Sequence, residues 1–183
     1  MAQAPEEPPK AQAADPQTAA VLRCLAMPPE VKFFPAAETI KSAEARVVVS
    51  LRERKLRLYD GPELALETPI AVGRVSSPTP DGEFVLAEKT GELRQVGYGH
   101  LRSPEGTILL RGIFQKFDPV PPGAVFDSVT PRYGLRLSGA GPLLFPGEAT
   151  GAATTDGSIV FPDKLAQFFY DVLVPGSRII IEH

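Results

Sequence analysis

ARVVVSLRERKLRLYDGPELALETPIAVG, residues Ala45 to Gly73, is the stretch whose reading decides the fold. Its opening RVVVSL is β-branched and bounded by charge, so it reads as a strand. After the charged turn Arg52 to Lys55, Leu56 and Leu58 alternate around Arg57. That period of two marks a partner strand, and the pair predicts a hairpin. Asp60-Gly61 supplies the next turn, Leu64 to Gly73 a third strand, Pro78 to Gly82 (PTPDG) a proline-stiffened turn, and Phe84 to Glu88 a fourth strand. Short strands and turns at this spacing predict a mainly β domain, an antiparallel sandwich or small barrel, and not an alternating α/β fold.

Toward the C-terminus the pattern blurs between Gly91 and Thr130, where Ile108 to Leu110 predicts a strand and PVPPGAVF a loop. Insertions beside a binding cleft belong in such a region. Arg132 to Ser138 alternates again. Leu165, Phe168, Phe169 and Val172 then recur at helical spacing, predicting one principal helix over Pro162 to Val174, with Pro162 in its first turn. Pro175-Gly176 breaks it, and Arg178 to Glu182 closes the chain as a strand. Ile179-Ile180-Ile181 is apolar on both faces, so that strand is expected to be central.

Toward the N-terminus, residues 1 to 16 are Ala, Pro, Gln and acidic residues, too poor in apolar surface to offset ordering entropy, and predict a disordered arm. QTAAVLRCLAM, Gln17 to Met27, predicts a short helix, and Val31 to Ala43 a connector. The expected organisation is an arm, helix and connector over 1–44 and one domain over 45–183. With 43% hydrophobic and 22% charged residues, 183 residues suffice for one core, while 20 Pro and 16 Gly argue against a helical bundle. A net charge of -3 gives no basic footprint for nucleic acid. Cys24 stands alone and, with His100 and His183, cannot form a Cys/His zinc site. No cofactor or metal is expected, and no run is long and apolar enough for a transmembrane segment.

Taken in order, these pieces resemble the L,D-transpeptidase catalytic domain family, the YkuD type. The resemblance rests on the opening strands ending in Gly73, the T-P-x-G-x-F turn at Thr79 to Phe84, RYGLRLSGAGPLLFPG in place of the strand leading to an I-H-G turn, and TTDGSIVFPDKLAQFFYDVLVPGSRIII in place of S-H-G-C-I-R with its helix and last strand. It covers about residues 45 to 182. What it implies is acyl transfer on peptidoglycan stem peptides by a cysteine thiolate and an activating histidine, in the periplasm or cell envelope after removal of an export signal. The motif departs where the chemistry lies. Ser158 stands at the cysteine, Asp156 at the neighbouring histidine, Val160 at the arginine and Pro146 at the upstream histidine, while Thr155, Gly147 and Gly157 keep the motif's character.

A serine hydroxyl is a far weaker acid than a thiol and needs a positioned base. Asp156 could accept its proton, but a carboxylate opposes a developing oxyanion, and Asp156-Gly157-Ser158 also reads as an Asx-type turn capping local backbone. A turn leading into a helix is further expected to leave backbone N–H groups free for an anion. The candidate catalytic residue is Ser158. Candidate binding residues are Thr155, Asp156, Gly157, Pro146 and Gly147, with Tyr133 and Arg136 on the predicted strand beside the cleft. The expected function is a pseudoenzyme of this family that binds stem peptide or a cell-envelope protein; the alternative is an acyltransferase or peptidase using Ser158.

Overall fold

Val47 and Val49 have no exposed surface, whereas Val48 between them is half-buried, so the β-branched run lies flat in a sheet with one face sealed. The structure is a computed structural model, and it describes residues 30–94 and 97–183. The arm expected over 1 to 16, the helix expected over Gln17 to Met27, and Cys24 lie outside the described residues.

The strands in chain order are β1 (Lys32–Phe33), β2 (Ala45–Ser50), β3 (Lys55–Asp60), β4 (Glu63–Pro69), β5 (Val72–Gly73), β6 (Gly82–Glu92), β7 (Tyr98–Arg102), β8 (Ile108–Phe114), β9 (Val125–Ser128), β10 (Arg132–Leu137), β11 (Leu143–Gly147), β12 (Ala153–Thr155), β13 (Ile159–Pro162) and β14 (Arg178–Glu182). Nine of them form one sheet in the order β1-β4-β3-β2-β14-β6-β10-β11-β13. Strand β14 is central, parallel to β2 and antiparallel to β6, as its apolar triplet predicts. The far edge folds back on the start: Ala71, just after β4, exchanges backbone hydrogen bonds of 2.8 and 2.9 Å with Val160 on β13. The sheet therefore curls around a single main core containing Leu58, Leu66, Leu86, Leu135, Leu144, Ile159 and Phe161. Burying each such side chain contributes about 1.5–3 kcal/mol.

Three expectations are corrected in detail. The strand expected over Leu64 to Gly73 is two, because Pro69 has no N–H to continue the ladder and the chain leaves β3 there to join β13 and β12. The helix expected from Pro162 begins later. Pro162 is extended (φ -58°, ψ 136°) and pairs with Gly147, a 3-10 turn follows at Asp163–Leu165, and the α-helix α1 spans Ala166–Val172. Its Phe169 packs edge-on against Phe161 at 4.9 Å, and Lys89 donates to the carbonyls of Tyr170 and Leu173 at its C-terminal end. The end of PVPPGAVF is strand β9, not loop. It belongs to a three-stranded antiparallel sheet, β8-β7-β9, which forms a second core on the outer face of the main sheet from Tyr98, Phe114, Phe145 and Val160.

Candidate functional site

The turn entering β13 is held by its own side chains. Buried Thr155 donates its hydroxyl to the Ser158 carbonyl (2.5 Å) and accepts from the Gly157 N–H (3.3 Å). Asp156 Oδ1 accepts from both the Ser158 N–H (3.3 Å) and the Ser158 hydroxyl (2.8 Å), closing an Asx-type turn. Gly157 sits at φ 107°, and a Cβ there would stand 3.3 Å from the Pro78 carbonyl oxygen, so this position requires glycine.

The loop after β5 clamps the turn from outside. Ser77 donates its hydroxyl to the Asp156 carbonyl (2.7 Å), and Thr79 Oγ1 accepts from the Gly73 N–H (2.8 Å), which orients the T-P-x-G-x-F segment. Arg74 gives its N–H to the Thr155 carbonyl (3.2 Å) and its Nε to the Thr154 carbonyl (2.9 Å), while Nη2 reaches both oxygens of Asp118 at 2.8 and 2.6 Å. A charge-assisted pair of this kind pins the turn to the segment after β8. Sequence reasoning missed Arg74, Ser77 and Asp118; the one available signal was the polar Ser76-Ser77 ahead of the proline turn.

The remaining candidates are elsewhere. Pro146 pairs with Phe161 and Gly147 with Pro162, three and four residues farther along β13 than Ser158 and at least about 10 Å away at strand rise. Pairing of Arg136 with Leu143, and of Leu144 with Ile159, sets Arg136 two strands from Ser158, also about 10 Å. Arg136 is exposed and loosely paired with Glu88 at 3.9 Å. Tyr133, at φ 62°, packs edge-on against Tyr170 of α1 at 5.1 Å. The structure thus brings together Thr155, Asp156, Gly157 and Ser158, and leaves Pro146, Gly147, Tyr133 and Arg136 apart from them.

His100 lies toward the opposite end of β13. Its Nδ1 accepts from the Gly112 N–H (3.2 Å), which leaves the proton of the neutral ring on Nε2. Nearby, buried Tyr98 accepts from the Glu148 N–H (2.8 Å), and burial pushes its phenol up to about 12. Asp163, at the rim of this cluster, has its carboxyl raised by desolvation on its protein side and then by Glu148, with His100 acting the other way. Asp163 is five residues beyond Ser158 on a largely extended path, on the order of 15 Å.

The chemical capacity of the turn follows. Ser158 has one hydrogen-bonded base, a carboxylate, whose negative charge would face any oxyanion formed beside it. The expectation of free N–H groups is corrected: those of Gly157 and Ser158 are both taken by side chains of the turn, because Thr155 and Asp156 offer acceptors at the right offset. Among the described residues no cluster of His, Cys, Asp or Glu is arranged to hold a metal ion, and no helix is long and apolar enough to cross a membrane.

Comparison with known proteins places this geometry in a wider set. The family model described as L,D-transpeptidase catalytic domain, YkuD, matches residues 44–181. A Bacillus licheniformis protein carrying the name L,D-transpeptidase YkuD is 48% identical over 44 residues, 24% of this chain and 27% of that protein. Among solved structures, an L,D-transpeptidase from Mycobacterium smegmatis aligns with TM-score 0.55 at 17% identity, covering 76% of this chain and 59% of that one. L,D-transpeptidase 3 from Mycobacterium tuberculosis aligns with TM-score 0.52 at 14% identity, covering 76% and 61%. The chain spans about three-fifths of the length of these solved structures, and at such identities the likeness is one of fold.

Proposed function

The chain belongs to the YkuD family of L,D-transpeptidase catalytic domains, and from that premise we propose that it is a member without the family's acyl-transfer chemistry, acting in the periplasm or cell envelope by binding peptidoglycan stem peptide or a protein partner. One observation carries this reading. The hydroxyl and both N–H groups that would have to serve attack and oxyanion binding at Ser158 are spent on Asp156 and Thr155 within the turn. Opening those bonds for a substrate would cost the turn its own stabilisation, about 1 kcal/mol per neutral hydrogen bond and more where a carboxylate accepts. The imidazole that could replace the missing base, His100, belongs to another sheet and faces Gly112.

The experiment is a titration of the full chain with purified muropeptides, followed by NMR. Peptide binding predicts shifts around Thr155 to Ile159 without turnover, and their loss in Ser158→Trp, which would fill the turn's mouth. Absence of shifts at millimolar peptide, or unchanged binding by Ser158→Trp, removes the peptide-binding reading. A second reading, hydrolysis or acyl transfer through Ser158, has the 2.8 Å hydroxyl-to-carboxylate bond in its favour, since that is the distance general-base catalysis requires. Labelling of Ser158 by a serine-directed phosphonate would select it.

A further inference from the structure

A groove of about 490 Å³ is lined by two stretches of chain, residues 42–46 leading into β2 and residues 174–178 leading into β14. It lies away from the Ser158 turn. Strand β14 is antiparallel to β6, β6 to β10 and β10 to β11, and β11 is parallel to β13, so the start of β14 and the start of β13 are at opposite ends of the sheet. The charged residues in the lining are two arginines, Arg46 and Arg178, and one acid, Glu44.

The two arginines are direct partners across the parallel pair β2-β14. Val47, Val49, Ile179 and Ile181 are buried in the core, so Arg46 and Arg178 both project from the outer face of the sheet. Like charges directly opposite each other on neighbouring strands repel. Little offsets that repulsion here. Arg178 reaches Glu83 at 3.2 Å, in an exposed pair of the kind that contributes little, and neither Arg46 nor Glu44 forms an ion pair among the described residues. The Arg46 guanidinium instead lies 4.3 Å from the centroid of the Tyr59 ring, and its Nε donates to the Gly61 carbonyl (3.3 Å). Ring and carbonyl hold the head in place, while its terminal nitrogens find no acceptor among the described residues. A fixed guanidinium with open N–H groups, one strand spacing of about 4.8 Å from a second, suits an anion with several oxygens.

We propose that this groove binds a phosphate monoester carrying a hydroxyl, its phosphate bridging Arg46 and Arg178 and its hydroxyl donating to Glu44. The Glu44 carboxylate repels a bare phosphate ion but accepts from a hydroxyl, so it selects the ester. The site is independent of the reading of the Ser158 turn. The test is a calorimetric and NMR titration of the full chain at low ionic strength with sn-glycerol 3-phosphate, inorganic phosphate and glycerol. The ester is expected to bind with about millimolar affinity or tighter and to shift residues 42–46 and 174–178, leaving Thr155 to Ser158 in place, with inorganic phosphate weaker and glycerol without effect. Arg178→Gln should weaken the ester by about tenfold. Arg46→Lys keeps a cation over Tyr59 but removes the fork, and should do the same with the melting temperature kept, which separates loss of the site from loss of the fold. Glu44→Gln should strengthen inorganic phosphate and narrow the ester's advantage. No saturable shift at about 10 mM ester, unchanged binding in both arginine variants, inorganic phosphate as tight as the ester, or glycerol as effective as its phosphate would each overturn the proposal.

Discussion

Strand β13 has two unlike ends. At its start, Thr155, Asp156 and Ser158 satisfy one another, and the chain offers a hydroxyl and a carboxylate with no imidazole hydrogen-bonded to them among the described residues. At its finish, His100, Glu148, Asp163 and Tyr98 gather beneath the three-stranded sheet, where burial raises the Tyr98 phenol and burial with the nearby Glu148 charge raises the Asp163 carboxyl. The difference teaches that a fold can keep the family's turn, glycines and strand order while the groups able to move protons sit at the wrong end for them. A scaffold constrains where chemistry can happen without supplying it.

That contrast can be broken or sharpened by substitution, in descending order of effect. Phe161→Ala removes a fully buried ring from the strand both ends share and should cost about 3–5 kcal/mol in urea unfolding. A loss below about 1 kcal/mol would mean that the ends are not held by a common core. Gly157→Ala acts on the first end alone; its φ of 107° and the nearby Pro78 carbonyl should make it cost about 1–3 kcal/mol, with the amide resonances around Tyr98 left in place. Tyr98→Phe acts on the second, leaving the Glu148 N–H without its acceptor for about 1–2 kcal/mol.

The same tyrosine gives a pH signature. Its folded phenol lies near 12 against an ordinary value of 10.0, so its contribution to stability is full below pH 10 and is lost as pH rises through 12. Phenolate absorbance in which all four tyrosines titrate in one step at the ordinary value, with no later step, would contradict that burial. Asp163 is raised too, so the same sign holds: stability is greatest with the carboxyl protonated and falls as it ionises. Asp163→Asn should therefore raise the melting temperature slightly at neutral pH, with the gain vanishing in acid; a lower melting temperature at neutral pH would show the charge to be favourable where it sits.

Much of the barrel was legible because its signals are local. The alternation of Leu56 and Leu58, the triplet Ile179 to Ile181 and the Leu165, Phe168, Phe169 and Val172 stripe each declare a face within a few residues, and the curled sheet uses those faces. Gly91 to Thr130 was legible only at Ile108 to Leu110, which lies in β8. Its strands are punctuated by Gly99 and Gly112, which are demanded by the close approach of β9 and of Glu148, and nothing nearby in sequence announces either neighbour. At the site, the four contiguous residues Thr155 to Ser158 could be read as one turn, since an Asx turn is written two residues apart. Arg74 with Asp118, 44 residues apart, and Ser77 with Asp156, 79 apart, depend on the tertiary fold and could not. Nor could the sequence show that the turn's N–H groups were already engaged.

The account stands most directly on whether Ser158 reacts. Intact-mass measurement of the full chain after prolonged exposure to a carbapenem, a β-lactam carbonyl open to acyl transfer, reads this without assuming a substrate. A mass unchanged for the parent chain, and still unchanged for Ser158→Ala, is the predicted result. A stoichiometric adduct mapped to Ser158, and absent from Ser158→Ala, would contradict it.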